Sequence, residues 1–148
     1  MTTTYKSGHN DSVEENRIAA KVAKIKGMTE HKINRGFGDY DEIDRYFYRN
    51  GKRCYAVEIK KRWGYKLSDL GSMIVDWRKM RALWAEHVNG LRAVVIQEFD
   101  DGIFSYELTA EWWAFSYVER GGSTKKYRGP KDIKPVCYIP RDKCKRIQ

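Results

Sequence analysis

The sequence predicts an α/β sandwich around a mixed β-sheet. A helical pattern near the N-terminus is followed by two strand-like segments, a long helical pattern and two more strand-like segments. This α-β-β-α-β-β order, with shorter elements after it, indicates that helices pack against a sheet. The chain has 148 residues, 41% of them hydrophobic, and residues 12–148 are expected to form one domain with one buried core.

The first predicted element is a helix that begins at Asp11 or Ser12 and ends at Gly27. The polar residues 1–11 before it are expected to be disordered. The segment Ser12-Val-Glu-Glu15 is typical of a capping box. At about 100° per residue, Glu15 lies near the centre of the apolar stripe, so it is the capping carboxylate, a group aimed at a polar site, or both. The stripe consists of Ile18, Val22 and Ile25.

Two strands, residues 43–48 and 53–61, are predicted to form a hairpin. A three-residue loop with Gly51 in the left-handed position would place Asp44 opposite Ala56. Because successive side chains of a strand alternate between faces, this register fixes which residues share a face of the sheet.

In this register Asp44, Glu58 and Lys60 project from one face of the sheet. A two-residue turn at Asn50-Gly51 would shift the pairing by one residue, place Asp41 beside Lys60 and turn Asp44 toward apolar side chains. The first register is favoured because it leaves the other face apolar. That face is expected to carry Ile43, Phe47, Tyr55, Val57 and Ile59.

A long helix is predicted over residues 67–88, where large side chains recur at helical spacing and Asn89-Gly90 provides an end. The recurring residues are Leu70, Met73, Ile74, Trp77, Met80, Arg81 and Trp84. Three further strands are predicted at residues 92–99, 103–108 and 136–139.

The net charge is +9, and most of it lies at one end of the chain. Residues 120–148 contain ten Lys and Arg residues and two Asp residues, a charge of +8, whereas residues 1–119 carry +1. This distribution indicates a polyanionic partner, most simply nucleic acid, although a basic segment that only improves solubility is the alternative.

The sequence also indicates where in the cell the protein is expected to be found. No apolar run is long enough to span a bilayer, and the N-terminus lacks the apolar stretch of a signal peptide, so no membrane partner and a cytoplasmic location are expected. The three cysteines form no CxxC pair or Cys/His cluster, so neither structural zinc nor a disulfide framework is expected.

The hairpin residues suit the hydrolysis of a phosphodiester. Mg²⁺ requires several oxygen ligands, and Asp44, Glu58 and the backbone carbonyl of Ile59 are candidates. The ammonium of Lys60 can steady the attacking water or the charge on the phosphorane, and Glu15 can reach the metal or its water from the helix. The alternative is an ordinary surface charge pair, because Glu-x-Lys is common on exposed strand faces.

These residues and their order resemble the PD-(D/E)xK nuclease superfamily, in particular archaeal Holliday-junction resolvases and small nucleases of tailed phages. The resemblance covers about residues 12–108. It implies a restriction-endonuclease-like α/β sandwich, a Mg²⁺ or Mn²⁺ cofactor and hydrolytic cutting of DNA in a bacterial, archaeal or phage-infected cell. It makes Asp44 and Glu58 the metal ligands, Lys60 the catalytic lysine and Glu15 the helix glutamate. No proline precedes Asp44, which departs from the motif.

Nucleic-acid contacts are expected from two basic segments. The first follows the predicted catalytic lysine and contains Lys61, Arg62, Trp63 and Lys66. The second is the glycine-rich loop with Lys125, Lys126 and Arg128. A junction resolvase would have to be a two-fold homodimer, for which residues 103–117 are a candidate interface. The alternative function is a nuclease-like fold that binds nucleic acid, or inhibits a protein, without cutting.

Overall fold

The computed structural model describes residues 9–32, 43, 45–120 and 133–148. The described helices are α1 (His9–Ile25), α2 (Leu67–Leu70) and α3 (Trp77–Val88). The described strands are β1 (Thr29–Lys32), β2 (Arg45–Arg49), β3 (Lys52–Lys61), β4 (Ser72–Asp76), β5 (Arg92–Phe99), β6 (Gly102–Glu107), β7 (Ser116–Arg120), β8 (Ile133–Pro140) and β9 (Lys145–Arg146). Short 3₁₀ helices occupy Ala110–Phe115 and Arg141–Lys143.

The described strands form two sheets. The central sheet has the order β1-β2-β3-β5-β6-β9, and the small sheet has the order β4-β8-β7. In the central sheet β3 and β5 are parallel and every other neighbouring pair is antiparallel. The predicted α/β class and mixed sheet are therefore confirmed. The crossover from β3 to β5 passes through α3, as a parallel connection requires.

Each face of the central sheet is covered by an apolar core. On one face Val57 and Ile59 pack against Ile18 and Val22 of α1. On the other face the core includes residues of the central sheet, of α3 and of the small sheet. These residues include Ala56, Ala93, Val95, Met80, Leu83, Val75 and Ile139. The order of layers is thus α1, the central sheet, and then α3 with the small sheet.

Helix α1 differs in its bounds from the predicted helix. It begins at His9 rather than at Asp11 or Ser12, so Ser12 lies inside the first turns and is not the cap. Its hydroxyl instead accepts a hydrogen bond from Lys32 Nζ at 3.4 Å. Ile18 and Val22 are buried as predicted, but Ile25 is 47% exposed because it lies at the last helical position.

The β2–β3 hairpin has a different register from the predicted one. Arg49 pairs with Lys52 across a two-residue Asn50-Gly51 turn, in which both residues have positive φ, 53° and 75°. This combination is typical of a type I′ turn. A bulge then follows, and Ala56 pairs with Tyr46. The expectation that Asp44 lies opposite Ala56 is therefore wrong.

The hairpin prediction is also wrong about Ile43. Phe47, Tyr55, Val57 and Ile59 share the α1 side of the sheet as predicted. Ile43, however, belongs to the core on the α3 side.

The predicted helix over residues 67–88 is replaced by three elements, namely α2, β4 and α3. Gly71 ends α2 in the left-handed conformation, with φ 78°, and β4 then pairs with β8. Met73 and Val75 alternate with more exposed neighbours, which is the strand pattern. Asp76 caps α3, because its carboxylate accepts a hydrogen bond from the Arg78 N–H at 2.8 Å.

The last three predicted strands are all present, and two of them have different first and last residues from those predicted. The strand at residues 92–99 is confirmed as β5, and β6 begins at Gly102. The strand predicted at residues 136–139 is the longer β8. Within the described ranges, no helix has the length and apolar character needed to cross a bilayer.

Candidate functional site

Glu58 and Lys60 lie on the same face of β3, on the side of α3. They alternate with the buried Val57 and Ile59, whose side chains pack under α1. Both polar side chains are only partly exposed, since β3 is an inner strand flanked by β2 and β5. The structure therefore brings Glu58 and Lys60 together at the position where β3 leads into the crossover.

The carboxylate of Glu58 faces a cation from α3. Lys79 Nζ lies 3.9 Å from Glu58 Oε1, and the side chains of Lys79 and Glu58 are 28% and 20% exposed. At this distance the two groups form a loose ion pair. No local sequence pattern pointed to Lys79, because its position depends on how α3 packs across β3.

A buried polar cluster lies next to Lys60. Gln97, which pairs with Lys60 in the β3–β5 ladder, is 1% exposed. Its Oε1 accepts a hydrogen bond from Arg62 Nε at 3.0 Å, and its Nε2 donates to the Ile74 carbonyl at 3.0 Å. Arg62 Nη2 also donates to the Ile74 carbonyl. Arg62, predicted to contact nucleic acid, thus directs its guanidinium into a link between the two sheets.

The opposite face of the same strand end carries a separate ion-pair network. Lys61 Nζ lies 2.7 Å from Glu98 Oε1, and Arg17 of α1 pairs with the same carboxylate and with Glu14. Partial burial opposes ionisation of Glu98, but the hydrogen bonds from Arg17 and Lys61 outweigh it and hold the pKa of Glu98 below its usual range. The hydrogen bonds to Glu98 and Glu14 raise the pKa of Arg17.

Glu15 lies on α1, which packs on the face of the central sheet opposite to the one that carries Glu58 and Lys60. Its side chain is half-buried. Next to it in the chain, Asn16 Oδ1 accepts a hydrogen bond from Arg45 Nη2 at 2.8 Å. Glu15 and Glu58 therefore lie on opposite sides of the central sheet.

Arg45 is a buried cation that the sequence pattern did not single out. Its side chain is 3% exposed, and Nη1 lies 3.0 Å from Glu30 Oε2. Glu30 belongs to β1, a strand that was not predicted. Arg45 also opens β2 and is the residue that follows Asp44 in the chain. This pairing ties the start of β2 to both β1 and α1.

Several predicted site residues lie outside the described ranges. They are Asp44, its alternative Asp41, and the basic loop residues Lys125, Lys126 and Arg128.

The described residues do not by themselves form a site for Mg²⁺ or Mn²⁺. In the ranges that the structure describes, no three His, Cys, Asp or Glu side chains form a group suited to a metal ion. Glu58 supplies one carboxylate beside Lys60, and the side chain of Ile59 between them is buried on the α1 side. Mg²⁺ is usually held by one or two carboxylates together with water and substrate phosphate, so Glu58 fits one position of such a site.

The turn after β3 is exposed and aromatic. Trp63 and Tyr65 are 40% and 44% exposed, and Lys66 is exposed beside them. Lys61 Nζ lies 5.1 Å from the centroid of the Trp63 ring, within the range of a cation–π contact. The predicted nucleic-acid residues Lys61, Trp63 and Lys66 therefore lie together at one end of the central sheet.

Neither the family models nor the curated proteins that we compared with the chain match its sequence.

Proposed function

We propose that the protein is a Mg²⁺- or Mn²⁺-dependent endonuclease that hydrolyses phosphodiester bonds in DNA. The observation that carries this proposal is the placement of Glu58 and Lys60 side by side on one face of an inner strand. Inner positions of a sheet usually carry apolar side chains, so a half-buried carboxylate and a half-buried ammonium on one inner strand are unusual.

The crossover supports the same proposal. The strand that carries Glu58 and Lys60 is parallel to β5 and is connected to it through α2, β4 and α3. Ligand sites of α/β sheets tend to form at the carboxyl ends of parallel strands. Lys60 lies one residue from the end of β3.

The proposed roles follow from chemistry that each group can perform. In hydrolysis, a bond forms between a water oxygen and phosphorus, and the bond from phosphorus to one sugar oxygen breaks. The Lys60 ammonium donates a hydrogen bond to the attacking water or to a phosphoryl oxygen. Glu58 and Asp44 are the proposed anionic ligands, with the carbonyl of Ile59 as a third and Glu15 assisting. The divalent cation, when bound, neutralises phosphate charge and makes its water more acidic.

Substrate binding is proposed to rest on positive charge. The net charge is +9, and residues 120–148 account for most of it. Among the described residues, Lys60 and Lys66 pair with no carboxylate, and each is proposed to contact a phosphate. Binding of this kind weakens steeply with added salt because it releases counterions from DNA.

The deciding experiment is a cutting assay on a four-way junction, a linear duplex and a single strand, each with and without Mg²⁺. We expect Glu58→Gln and Lys60→Met to lower the rate by at least about 100-fold, the scale of losing one catalytic group. Binding measured in EDTA should stay close to that of the parent protein. A parent protein that cuts none of the three substrates would overturn the proposal.

Matched controls come from the same sheet. Lys52→Met removes an exposed ammonium from the other end of β3, and Glu107→Gln removes an exposed carboxylate on β6 that pairs with Arg92. Both controls should cut like the parent protein. Equal activity of Glu58→Gln, Lys60→Met and the two controls would show that the pair is an ordinary surface charge pair.

A second candidate is a nuclease-like protein that binds nucleic acid or another protein without cutting. It is favoured by the single carboxylate, Glu58, that the described residues place beside Lys60. Calorimetry with Mn²⁺ distinguishes the two candidates. If the protein is a nuclease, the parent protein should bind one Mn²⁺ ion and Glu58→Gln should bind none. DNA binding with no such metal site would favour the second candidate. A junction resolvase should also be a homodimer in solution, which sedimentation tests directly.

A further inference from the structure

The turn that connects β3 to α2 is held in place from several sides. The Arg62 N–H donates to the Glu98 carbonyl at 2.8 Å, which extends the β3–β5 ladder by one residue. The Asp100 N–H donates to the Tyr65 carbonyl at 2.7 Å. Gly64, with φ 76°, allows the chain to reverse between these two contacts. The backbone that carries Trp63 and Tyr65 is therefore fixed to β5 and to the turn after it.

The start of α2 fixes the other side of the turn. The carboxylate of Asp101 accepts hydrogen bonds from the N–H groups of Leu67 and Ser68, at 2.8 and 3.2 Å. Although burial opposes its ionisation, these backbone donors hold the pKa of Asp101 below its usual range. Leu67 is fully buried, so the residue that follows Lys66 is fixed in the core.

The side chains of this rigid turn nevertheless face water. Trp63 is 40% exposed and Tyr65 is 44% exposed. Two large aromatic side chains on a fixed backbone can bind a flat partner with little loss of conformational freedom. Lys61 Nζ lies 5.1 Å from the Trp63 ring centroid, and Trp63 is 40% exposed.

The chain segment that carries the two rings is basic, although Glu98, Asp100 and Asp101 lie against it. Residues 60–66 contain four cations, namely Lys60, Lys61, Arg62 and Lys66, and no carboxylate. Arg62 and Lys61 are engaged with protein groups, but Lys60 and Lys66 have no carboxylate partner among the described residues. Aromatic rings interleaved with lysines are the arrangement that binds unpaired bases by stacking and their phosphates by charge.

We propose that Trp63 and Tyr65 stack on unpaired bases, so that the substrate of the proposed nuclease has single-stranded character beside the bond that is cut. This inference rests on the proposed nuclease function. Trp63 follows Lys60 by three positions, a span of at most about 10 Å. A base on Trp63 would therefore lie within a few nucleotides of a phosphate at Lys60. Bases inside an intact duplex cannot reach the rings, because they are stacked on their neighbours.

The test is binding in EDTA, where no cutting occurs, measured by fluorescence anisotropy with a single-stranded and a duplex oligonucleotide of the same length. Trp63→Ala should weaken single-strand binding by about tenfold, the scale of one lost base stack, and leave duplex binding nearly unchanged. Tyr65→Ala should act in the same direction. Trp63→Phe, which keeps a ring, should retain most of the affinity.

The matched control is Trp113→Ala. Trp113 is 49% exposed, like Trp63, but lies on the 3₁₀ helix Ala110–Phe115, where it stacks on Trp112 at 4.2 Å between ring centroids. This variant should bind both oligonucleotides as the parent protein does. An equal effect of Trp113→Ala and Trp63→Ala, or an equal loss of duplex and single-strand binding in Trp63→Ala, would overturn the inference.

The outcomes for stacking and for cutting can be told apart. If the parent protein cuts DNA in a Glu58-dependent manner but Trp63→Ala has no selective effect, the nuclease proposal stands and the stacking inference fails. If Trp63 governs single-strand binding but no substrate is cut with Mg²⁺ or Mn²⁺, the nuclease proposal fails and the protein is a single-strand binder.

Discussion

Lys79 of α3 places its ammonium 3.9 Å from the carboxylate of Glu58 on β3. The contact joins the crossover helix to the strand that carries both proposed catalytic groups. In the proposed site, Lys79 and a divalent cation would be drawn to the same carboxylate, and the two positive charges would repel each other. The ion pair with Lys79 would therefore weaken the hold of Glu58 on a metal.

We expect Lys79→Met to tighten the binding of Mn²⁺ severalfold, since a competing cation near the ligand is removed. The measurement is isothermal titration calorimetry at low ionic strength, where charge effects are least screened. Lys52→Met, which removes an exposed lysine far along β3, is the control and should leave the affinity unchanged. Weaker Mn²⁺ binding in Lys79→Met would contradict this expectation and would mean that Lys79 helps to hold Glu58 in position for the metal.

Gln97 links the two sheets through Arg62 and the carbonyl of Ile74. We expect Gln97→Leu to lower the free energy of unfolding by about 1–3 kcal/mol, because Arg62 Nε loses its acceptor and the Ile74 carbonyl keeps only the donor Arg62 Nη2. Urea denaturation measures this loss. Glu107→Gln, which breaks only an exposed ion pair with Arg92, should cost no more than about 1 kcal/mol. Equal losses in the two variants would show that the link contributes no more than a surface contact.

The β2–β3 hairpin shows which part of the site could be predicted from the sequence. Alternation within β3 was enough to place Glu58 and Lys60 on one face and Val57 and Ile59 on the other. The register was not predictable, because Asn50-Gly51 suits more than one loop length. The two-residue turn and the bulge each shift the pairing by one residue, so the final register differs from the predicted one by two and keeps the same parity. The prediction therefore placed each of these β3 side chains on the correct face, but it paired β3 with the wrong residues of β2.

The prediction for residues 67–88 failed for a different reason. Met73, Met80 and Trp84 fit a helical period, while Met73 and Val75 also fit strand alternation, so local spacing could not distinguish the two. The pairing of β4 with β8, which lies far away along the chain, decided in favour of a strand. The roles of Lys79 and Gln97 were not predicted for the same reason. Their contacts arise from packing between elements that are distant in the sequence, and local residue spacing does not indicate such contacts.

The Gly51 position tests the hairpin directly. Gly51 has φ 75°, and no neighbouring atom lies within 4 Å of the place that a Cβ would take, so a substitution there meets backbone strain and not a steric clash. We expect Gly51→Ala to destabilise the fold by about 1 kcal/mol, the cost of the left-handed conformation for a residue with a side chain. Thermal unfolding measures the change. Lys52→Ala, at the next position in β3, is the control, and an equal effect there would point to general loss of strand stability.

Glu98 should make the stability of the protein depend on pH. Partial burial opposes its ionisation, but hydrogen bonds from Arg17 and Lys61 to the charged form outweigh burial, so its pKa is lowered in the folded state. A group with a lowered folded-state pKa stabilises the fold above its unfolded pKa, near ~4.3 for glutamate, and loses that contribution as the pH falls through the folded value. We therefore expect Glu98→Gln to cost about 1–2 kcal/mol at pH 7 and progressively less below about pH 4.

Urea denaturation of the parent protein and Glu98→Gln, repeated between about pH 3 and pH 7, measures this difference. Glu107→Gln is the control, because its partner Arg92 is 60% exposed and the loss of this exposed ion pair should cost little. A cost of Glu98→Gln that is the same at both ends of the pH range would show that the side chain stabilises the fold by packing, and not through its charge.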